Sequence, residues 1–562
     1  MKDDFKSLMI AIMLSFIAIY SVNHFFGLNK PRSVAKEPIE IAKQNVQNDT
    51  VADLQLTKVQ NEPVVLPTET VLSNDKRLKF QNNSVLGSIR LKGARLDNLY
   101  LRKYNVELND DSTKIELLKP AKTANHYFAD LGWLALDSEV SLPKASSIWH
   151  TTDTELTPNQ PATLVWSNNS GIKITRKISL DNNYMFTVRD TIDNTSNQEL
   201  ELFPYALISK NIQGIAATRS VVHEGISGVV NKTLKEFKYA QIKPGDDKTL
   251  ETKGGWLGFS DRYWFTSFIL GNKDKAQITL KNLDNGNYQI DYLGERVIVP
   301  AQGSQTYTYT LFAGAKEIKL LDTYTKQNNI PKFDLAVDFG WYYFLTKPFF
   351  YILDFLYGFL GNMGWAILLF AAILRLCLFP IANKSFTNMA KMKAVQPKIN
   401  EIREKYRDNP RMLQQATMDV YKREKINPAS GCLPMFIQIP VFFSLYKVLN
   451  ISIEIRHAPF IGWIKDLSAP DPLTISQLLH IYIPGFLDIG LWPIFMGLTM
   501  WIQQKLNPAP ANKDQARMFA LMPVFFTFML GHFASGLVIY WTLSNILSII
   551  QQKTIMYKNG VK

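Results

Sequence analysis

Two cysteines in 562 residues exclude a disulfide framework. Cys377 and Cys432 both lie near the basic ends of apolar runs, on the side where thiols normally stay reduced, and their spacing suits no zinc site. Histidine is also sparse, and His126, His150 and His223 are scattered without an HExxH pattern. Neither a GxSxG elbow nor a GxxxxGK[ST] phosphate loop is present. The chain therefore reads as a non-enzyme that needs no cofactor and no metal. It also lacks an internal repeat and any low-complexity block. Most telling, no acidic residue falls in the apolar runs 365–380, 433–449, 518–533 or 536–556. A proton relay or an arginine–carboxylate lock inside them has no obvious partner.

What those runs do contain is one arginine. Arg375 sits in WAILLFAAILRLCLFP, residues 365–380. A charge there costs roughly 2.5 to 3.5 kcal/mol on insertion scales, so it usually faces a watery cavity or a partner. The bland alternative is snorkelling, because Pro380 is only about 8 Å further along a helix and a long side chain reaches headgroups. Both readings stand at this point.

With 46% hydrophobic residues and a mean hydropathy of −0.07, the chain is too polar to be membrane throughout, yet several runs are long enough to span. Residues 8–28 follow Lys2 and Lys6 without a small-residue cleavage site and read as an uncleaved signal anchor within segment 1–29. A polar, proline-punctuated linker covers 30–77. From 78 to 331 short alternating runs are broken by turn residues, as in Ile178 and Leu180, then Asp181-Asn182-Asn183, then Tyr184, Phe186 and Val188. A second example runs from Ile278 and Leu280 through residues 284–287 to Tyr288, Ile290 and Tyr292. Such alternation predicts a large antiparallel β-sandwich. Residues 339–360 are aromatic-rich but interrupted by Lys347, Pro348 and Asp354, which favours a helix lying at the interface. Spans are expected at the Arg375 run, 433–449, about 485–502, 518–533 and 536–556. With the anchor they make six.

Orientation follows from charge. Residues 383–430 carry eleven Lys and Arg against five Asp and Glu, which places that loop in the cytoplasm and the β-domain outside. The net charge of +13 is thus no nucleic-acid signature. Within 383–428, Phe386, Met389, Met392, Val395, Ile399 and Ile402 recur at helical spacing up to Tyr406, and Asn409-Pro410 makes a turn. This predicts an amphipathic helical hairpin, whose face either receives varied partners or packs on the bundle and headgroups. The spans hold further polar residues: Gln438, Gln503, Gln504, Thr527, Tyr540, Trp541, Thr542, Ser544 and Asn545. Each could bond between helices, whereas together with Arg375 they suit a hydrated groove.

Several strings carry a resemblance: Gln396-Pro397-Lys398-Ile399, Lys425-Ile426-Asn427-Pro428 through Gly431-Cys432-Leu433-Pro434, Gln438-Ile439-Pro440, Ala458-Pro459-Phe460, Asp466-Leu467-Ser468, Phe525-Phe526-Thr527, Ser535-Gly536-Leu537 and Ser544-Asn545. They closely resemble the YidC insertases of the YidC/Oxa/Alb family, densely from residue 337 to 557. The exported half is similar more loosely, through Lys253-Gly254-Gly255-Trp256 and Val337-Asp338-Phe339-Gly340-Trp341. The resemblance implies a bundle of six spans with a conserved five-helix core (361–562), an exported all-β supersandwich, and both termini in the cytoplasm of a bacterial inner-membrane protein. It implies insertion and chaperoning of membrane proteins, alone or beside the Sec translocon (SecYEG, SecDF), with the ribosome and lipids as further partners. The implied groove would hold Arg375, Gln438, Thr527, Tyr540, Trp541, Ser544 and Asn545. The hairpin side chains Met389, Met392, Lys398, Ile399, Ile402 and Arg403 would face clients or the ribosome. Two departures stand out: Ala371 where some relatives carry a hydroxyl one turn before the arginine, and a short tail. A polytopic transporter would want a repeat of its spans, and an anchored carbohydrate binder would use the aromatics Trp256, Tyr263 and Trp264.

Overall fold

The computed structural model describes residues 66–560, apart from 109–112, 138, 215–221, 284–285, 408, 428–432, 486 and 508–512. The expected anchor, most of the linker and Cys432 lie outside the described residues. A short helix, α1 (Thr68–Ser73), precedes the first strand.

Seventeen strands follow among the described residues, from β1 (Arg77–Gln81) to β17 (Gly303–Ala315). Their alternating sequence folds as expected: β8 (Ile172–Leu180) and β9 (Met185–Asn194) pair antiparallel, with Leu180 opposite Phe186. The Asp181 carboxylate accepts the N–H groups of Asn183 (2.8 Å) and Met185 (2.9 Å), fixing the turn. The seventeen strands form one continuous hydrogen-bonded sheet, whose two limbs are joined by one long hairpin, β13 (Lys248–Ser260) and β14 (Trp264–Asn282). The first half of β14 pairs with β17, which pairs with β9; its second half pairs with β15 (Asn287–Gly294), which leads to β10 (Leu200–Asn211).

The crossing point on β13 is the string Lys253-Gly254-Gly255-Trp256. A bulge falls between Lys253 and Gly255, and Gly254 and Gly255 have φ of +66° and +100°. A side chain at 255 would put its Cβ 2.0 Å from the Val229 carbonyl oxygen, so only glycine lets the strand turn there. Trp256 is then driven into the core, donating from Nε1 to the Pro331 carbonyl at 2.9 Å. The core also encloses an ion pair, Arg176 with Asp190 at 2.7 Å, joined by a Trp133 Nε1 donation of 2.9 Å.

The last strand ends at Ala315. Helix α2 (Ile318–Gln327) follows β17, because Leu321 and Tyr324 recur on one face and pack inward. Helix α3 (Tyr343–Leu360) starts after Gly340, which turns the chain at φ +71°. Its interrupting charges have partners on the α2 side: Lys347 bonds Asp322 (2.8 Å) and Asp334 (2.6 Å), and Asp354 pairs with Lys319 (2.5 Å). Phe344, Phe355 and Phe359 point outward.

Helix α4 (Met363–Ala394) runs without a break through Pro380. The first arm of the expected hairpin is therefore a continuation of the Arg375 helix, and the hairpin proper is α5 (Gln396–Lys405) and α6 (Pro410–Arg423). Helices α7 (Leu433–Ile451), α8 (Ile475–Leu479), α9 (Leu491–Leu506), α10 (Lys513–Leu530) and α11 (Ser535–Lys558) complete the chain. The expected start at 485 is corrected to Leu491, since Asp488 is used by the preceding loop, where it accepts from Ser476. Among the described residues, α4 alone is both long and apolar enough by composition to cross a membrane, with shorter apolar stretches at Phe436–Ile451 and Ala516–Leu530. Helix α11 packs against α4 and α9.

The two halves meet through polar contacts. Arg262 donates to the Asn450 carbonyl (2.8 Å), Lys447 to Asp338 (2.6 Å) and Arg456 to the Asn105 carbonyl (2.8 Å). Glu454 accepts the Ile318 N–H at 3.3 Å, while its Oε2 is buried without a bond among the described residues. Burial pushes this carboxyl up to about 7. A raised acid pKa binds protons in the folded state that the unfolded state has lost, so the joint should weaken as pH rises from about 4.3 to 7. Burial lowers His126 to about 4, which gives the opposite slope over part of that range. The check is therefore a difference: Glu454→Gln should remove the weakening, seen as a wild-type-minus-variant melting midpoint that falls with rising pH. A flat difference would place the charged carboxylate in the native joint.

Candidate functional site

Helix α11 is a polar spine. Tyr540, Ser544, Ser548 and Gln552 recur every four residues and stack on one side, while Asn545 turns to the next helix. Tyr540, Ser544, Asn545 and Gln552 bond to neighbouring elements. On α7, Gln438 donates from Nε2 to the Tyr540 hydroxyl at 3.1 Å. On α4, Arg375 Nη2 donates to the Ser544 carbonyl (3.1 Å) and to its Oγ (2.8 Å). On α9, Thr499 accepts from Asn545 at 3.1 Å, and just past its end Asn507 accepts from Gln552 at 3.1 Å. Ser548 also donates to the Ser544 carbonyl, at 2.7 Å.

Arg375 itself is half-buried, and no described carboxylate pairs with it. Its neighbours Leu376 and Phe379 are exposed. The guanidinium is thus held by a neutral hydroxyl and a carbonyl, which orient it and leave its charge uncompensated. The structure gathers Arg375, Gln438, Tyr540 and Ser544 into one bonded set across three helices.

Other expected groove residues belong elsewhere. Thr527 donates to the Pro523 carbonyl of its own helix (2.7 Å), and a Cβ on Gly497 would come 2.0 Å from its hydroxyl, so it marks a close α9–α10 crossing. Trp541 packs edge-on against Phe442 at 4.7 Å and beside Phe526 at 6.2 Å. Thr499, Ser548, Gln552 and Asn507 were not singled out from the sequence. The four-residue step from Tyr540 was the available signal for two of them.

In the hairpin, Met389 is buried with Ala382, Phe386 and Ile555, and Ile399 with Val395 and Ile426. Met392 packs beside the second group, and Lys398 pairs with Glu424 at 2.9 Å. Ile402 and Arg403 are half-buried. The expected face is turned inward in this structure, because it is what holds α4, α5 and α6 to each other and to α11. The apolar side chains that α6 leaves exposed are Met412 and Met418. Among the β-domain aromatics weighed for sugar binding, Trp256 and Tyr263 are buried and Trp264 packs on Tyr104, so they form no open platform.

Residues 77–352 match the family described as YidC periplasmic domain, and residues 355–561 the 60Kd inner membrane protein family. A membrane protein insertase YidC of Rickettsia bellii is 41% identical, covering 98% of this chain and 99% of that relative. The chain belongs to the YidC family of membrane protein insertases. Its β-rich half is the family's periplasmic domain and its helical half the family's membrane core, so it is an inner-membrane protein and not an enzyme. A relative from Brucella suis with the same description is 44% identical over 90% of this chain and 84% of its own length. Among solved structures, the crystal structure of an active YidC insertase with its first transmembrane domain resolved covers 89% of this chain and 96% of that one, at 17% identity and a TM-score of 0.37.

Proposed function

We propose that this chain inserts integral inner-membrane proteins through a recess whose polar wall is Arg375, Gln438, Tyr540 and Ser544. The observation that carries the reading is the Arg375 guanidinium, bonded to Ser544 by neutral acceptors and free of a carboxylate among the described residues. Such a charge draws an acidic client segment part-way across, and a polar recess shortens the apolar barrier that segment must cross. Exposed apolar side chains on α7 (Phe436, Ile439, Phe443) and α10 (Leu521, Val524, Phe525) then offer the client helix a greasy flank. Apolar transfer of the client, about 25 cal/mol per Å², supplies the free energy.

Six spans are part of this proposal: the anchor, α4, α7, α9, α10 and α11, with both termini and the hairpin cytoplasmic. Cooperation with SecYEG and SecDF, and ribosome contact through the basic α5–α6 hairpin, are further parts that family membership supports. A purified client added to liposomes with and without the protein tests the core claim. Client that reaches a protease-protected state equally well without the protein would refute it.

The hairpin gives a separate prediction. Photocrosslinkers at Met412 and Met418 should capture nascent membrane proteins in several-fold higher yield than crosslinkers at Met389 and Ile399, whose side chains are occupied in packing. The reverse ranking would mean that the hairpin opens when a client arrives.

A further inference from the structure

Between α7 and α9 the chain makes a long excursion that the insertion path does not use. Residues 466–504 contain no lysine or arginine, and the three carboxylates of that stretch each accept hydrogen bonds from nearby groups of the loop and its neck. Asp466 accepts from the Ser468 N–H (2.8 Å) and hydroxyl (2.7 Å). Asp471 accepts from Trp463 Nε1 (2.9 Å) and the Trp492 N–H (2.8 Å), and Asp488 from the Ser476 hydroxyl (2.6 Å). With its carboxylates bonded locally, the exposed surface of the loop is mostly apolar: Leu478, Leu479, Ile481, Tyr482 and Leu487 are exposed, Tyr482 to 93%, with Gln477 and His480 the polar side chains among them.

The loop's level is fixed by its neck. Ile475 donates to the Ile489 carbonyl (3.1 Å) and Leu491 to the Leu473 carbonyl (3.0 Å), so the excursion leaves from and returns to the first turn of α9. That helix has sixteen residues, about 24 Å, against a hydrocarbon core of about 30 Å. At its inner end Lys505 lies 3.6 Å over the Trp501 ring, a pair suited to the headgroup level. A span that short, seated at the inner boundary, stops several ångströms below the outer one. Whatever is tied to its outer end starts within the bilayer.

We propose that residues 478–485 and 487 lie in the outer leaflet at the boundary of acyl chains and headgroups, with lipid as their occupant. The loop suits that position. Its carboxylates and the N–H groups of Leu478, Ile481 and Leu487 are bonded within the loop and its neck, which lowers the cost of irregular backbone near hydrocarbon, and Leu479, Ile481 and Tyr482, beside the exposed His480, present the amphipathic surface that interfacial segments use. The inference rests on reading α9 as a span, and its test separates the two.

In full-length protein carrying Cys377→Ser and Cys432→Ser, a nitroxide would be attached at Tyr482→Cys, at Leu498→Cys in mid-α9, or at Lys275→Cys on the exposed β-domain. The protein is reconstituted into phosphatidylethanolamine and phosphatidylglycerol vesicles, and collisions with oxygen and with a water-soluble nickel chelate are measured. The label at 482 should favour oxygen over the chelate by several-fold relative to 275, as the label at 498 should more strongly. A lipidic 498 with a 482 as open to the chelate as 275 overturns the loop proposal alone. A water-exposed 498 overturns the span reading beneath it. Protection of 482 accompanied by spin–spin broadening that vanishes on dilution with unlabelled protein would assign the surface to a second copy and also overturn it.

Discussion

Arg375→Ala is expected to slow insertion of clients with acidic translocated segments by about tenfold or more, whereas Arg375→Lys should keep most of the activity. A tenfold change corresponds to about 1.4 kcal/mol, well within the worth of one charge–charge attraction in a medium less polar than water. The structure separates this from a folding defect. The Ser544 carbonyl keeps a donor, the Ser548 hydroxyl, when the guanidinium is removed, so the α4–α11 contact loses two bonds without stranding a buried carbonyl. The measurement is the insertion rate into vesicles at equal protein content, for one client with its acidic tail intact and one with that tail neutralised. The alanine variant should hurt the first client and spare the second. Equal rates for all three proteins on the acidic client would return Arg375 to the snorkelling reading.

Why Arg375 was legible before any coordinates, and Ser544 as its partner was not, comes down to range. An arginine in an apolar run is a local anomaly with a free-energy cost attached. Its acceptor lies 169 positions away, and no spacing rule links the two. The β-domain was legible because alternation is local too: Leu180 faces Phe186 as the turn at Asp181 requires. The sheet-crossing hairpin was not, since the Gly254-Gly255 bulge means something only once Val229 approaches it. Helical spacing in the hairpin identified an apolar face correctly but could not say what covers it. Met389 and Ile399 proved to be packed, against Ile555 and Ile426 respectively, and periodicity gives packed and client-facing stripes the same signature. The helix after the last strand was not legible either, because Ile318, Leu321 and Tyr324 find their common face only once the strands end at Ala315 and the sheet is there to pack against.

The largest structural effect is expected at Gly364, in the first turn of α4. A Cβ there would stand 1.9 Å from Cδ2 and 2.4 Å from Cγ of Phe460, so even alanine requires the ring to move. The ring has little room: it is buried and packs against Trp365 at 5.7 Å. Its loop is also strapped, with Phe460 bonded to the Ile464 carbonyl and Leu467 to the Ala458 carbonyl, both at 3.0 Å. The same loop receives the start of α11 through Gly536 N–H to the Leu467 carbonyl (3.0 Å) and Ser535 N–H to the Ala469 carbonyl (2.7 Å). Pushing Phe460 outward therefore shifts α11 against α4, the two helices that carry Ser544 and Arg375. Gly364→Val should cost about 1–3 kcal/mol of stability as an overpacked site, and insertion should fall with it. Phe460→Ala alone should cost about 3–5 kcal/mol as a buried aromatic truncation. Because the valine fills space that the missing ring vacates, the double variant is expected to be no less stable than Phe460→Ala. Denaturant unfolding in detergent micelles measures all four proteins. Strictly additive losses would mean that residue 364 does not meet Phe460, and that the outer end of the bundle is held by contacts other than this one.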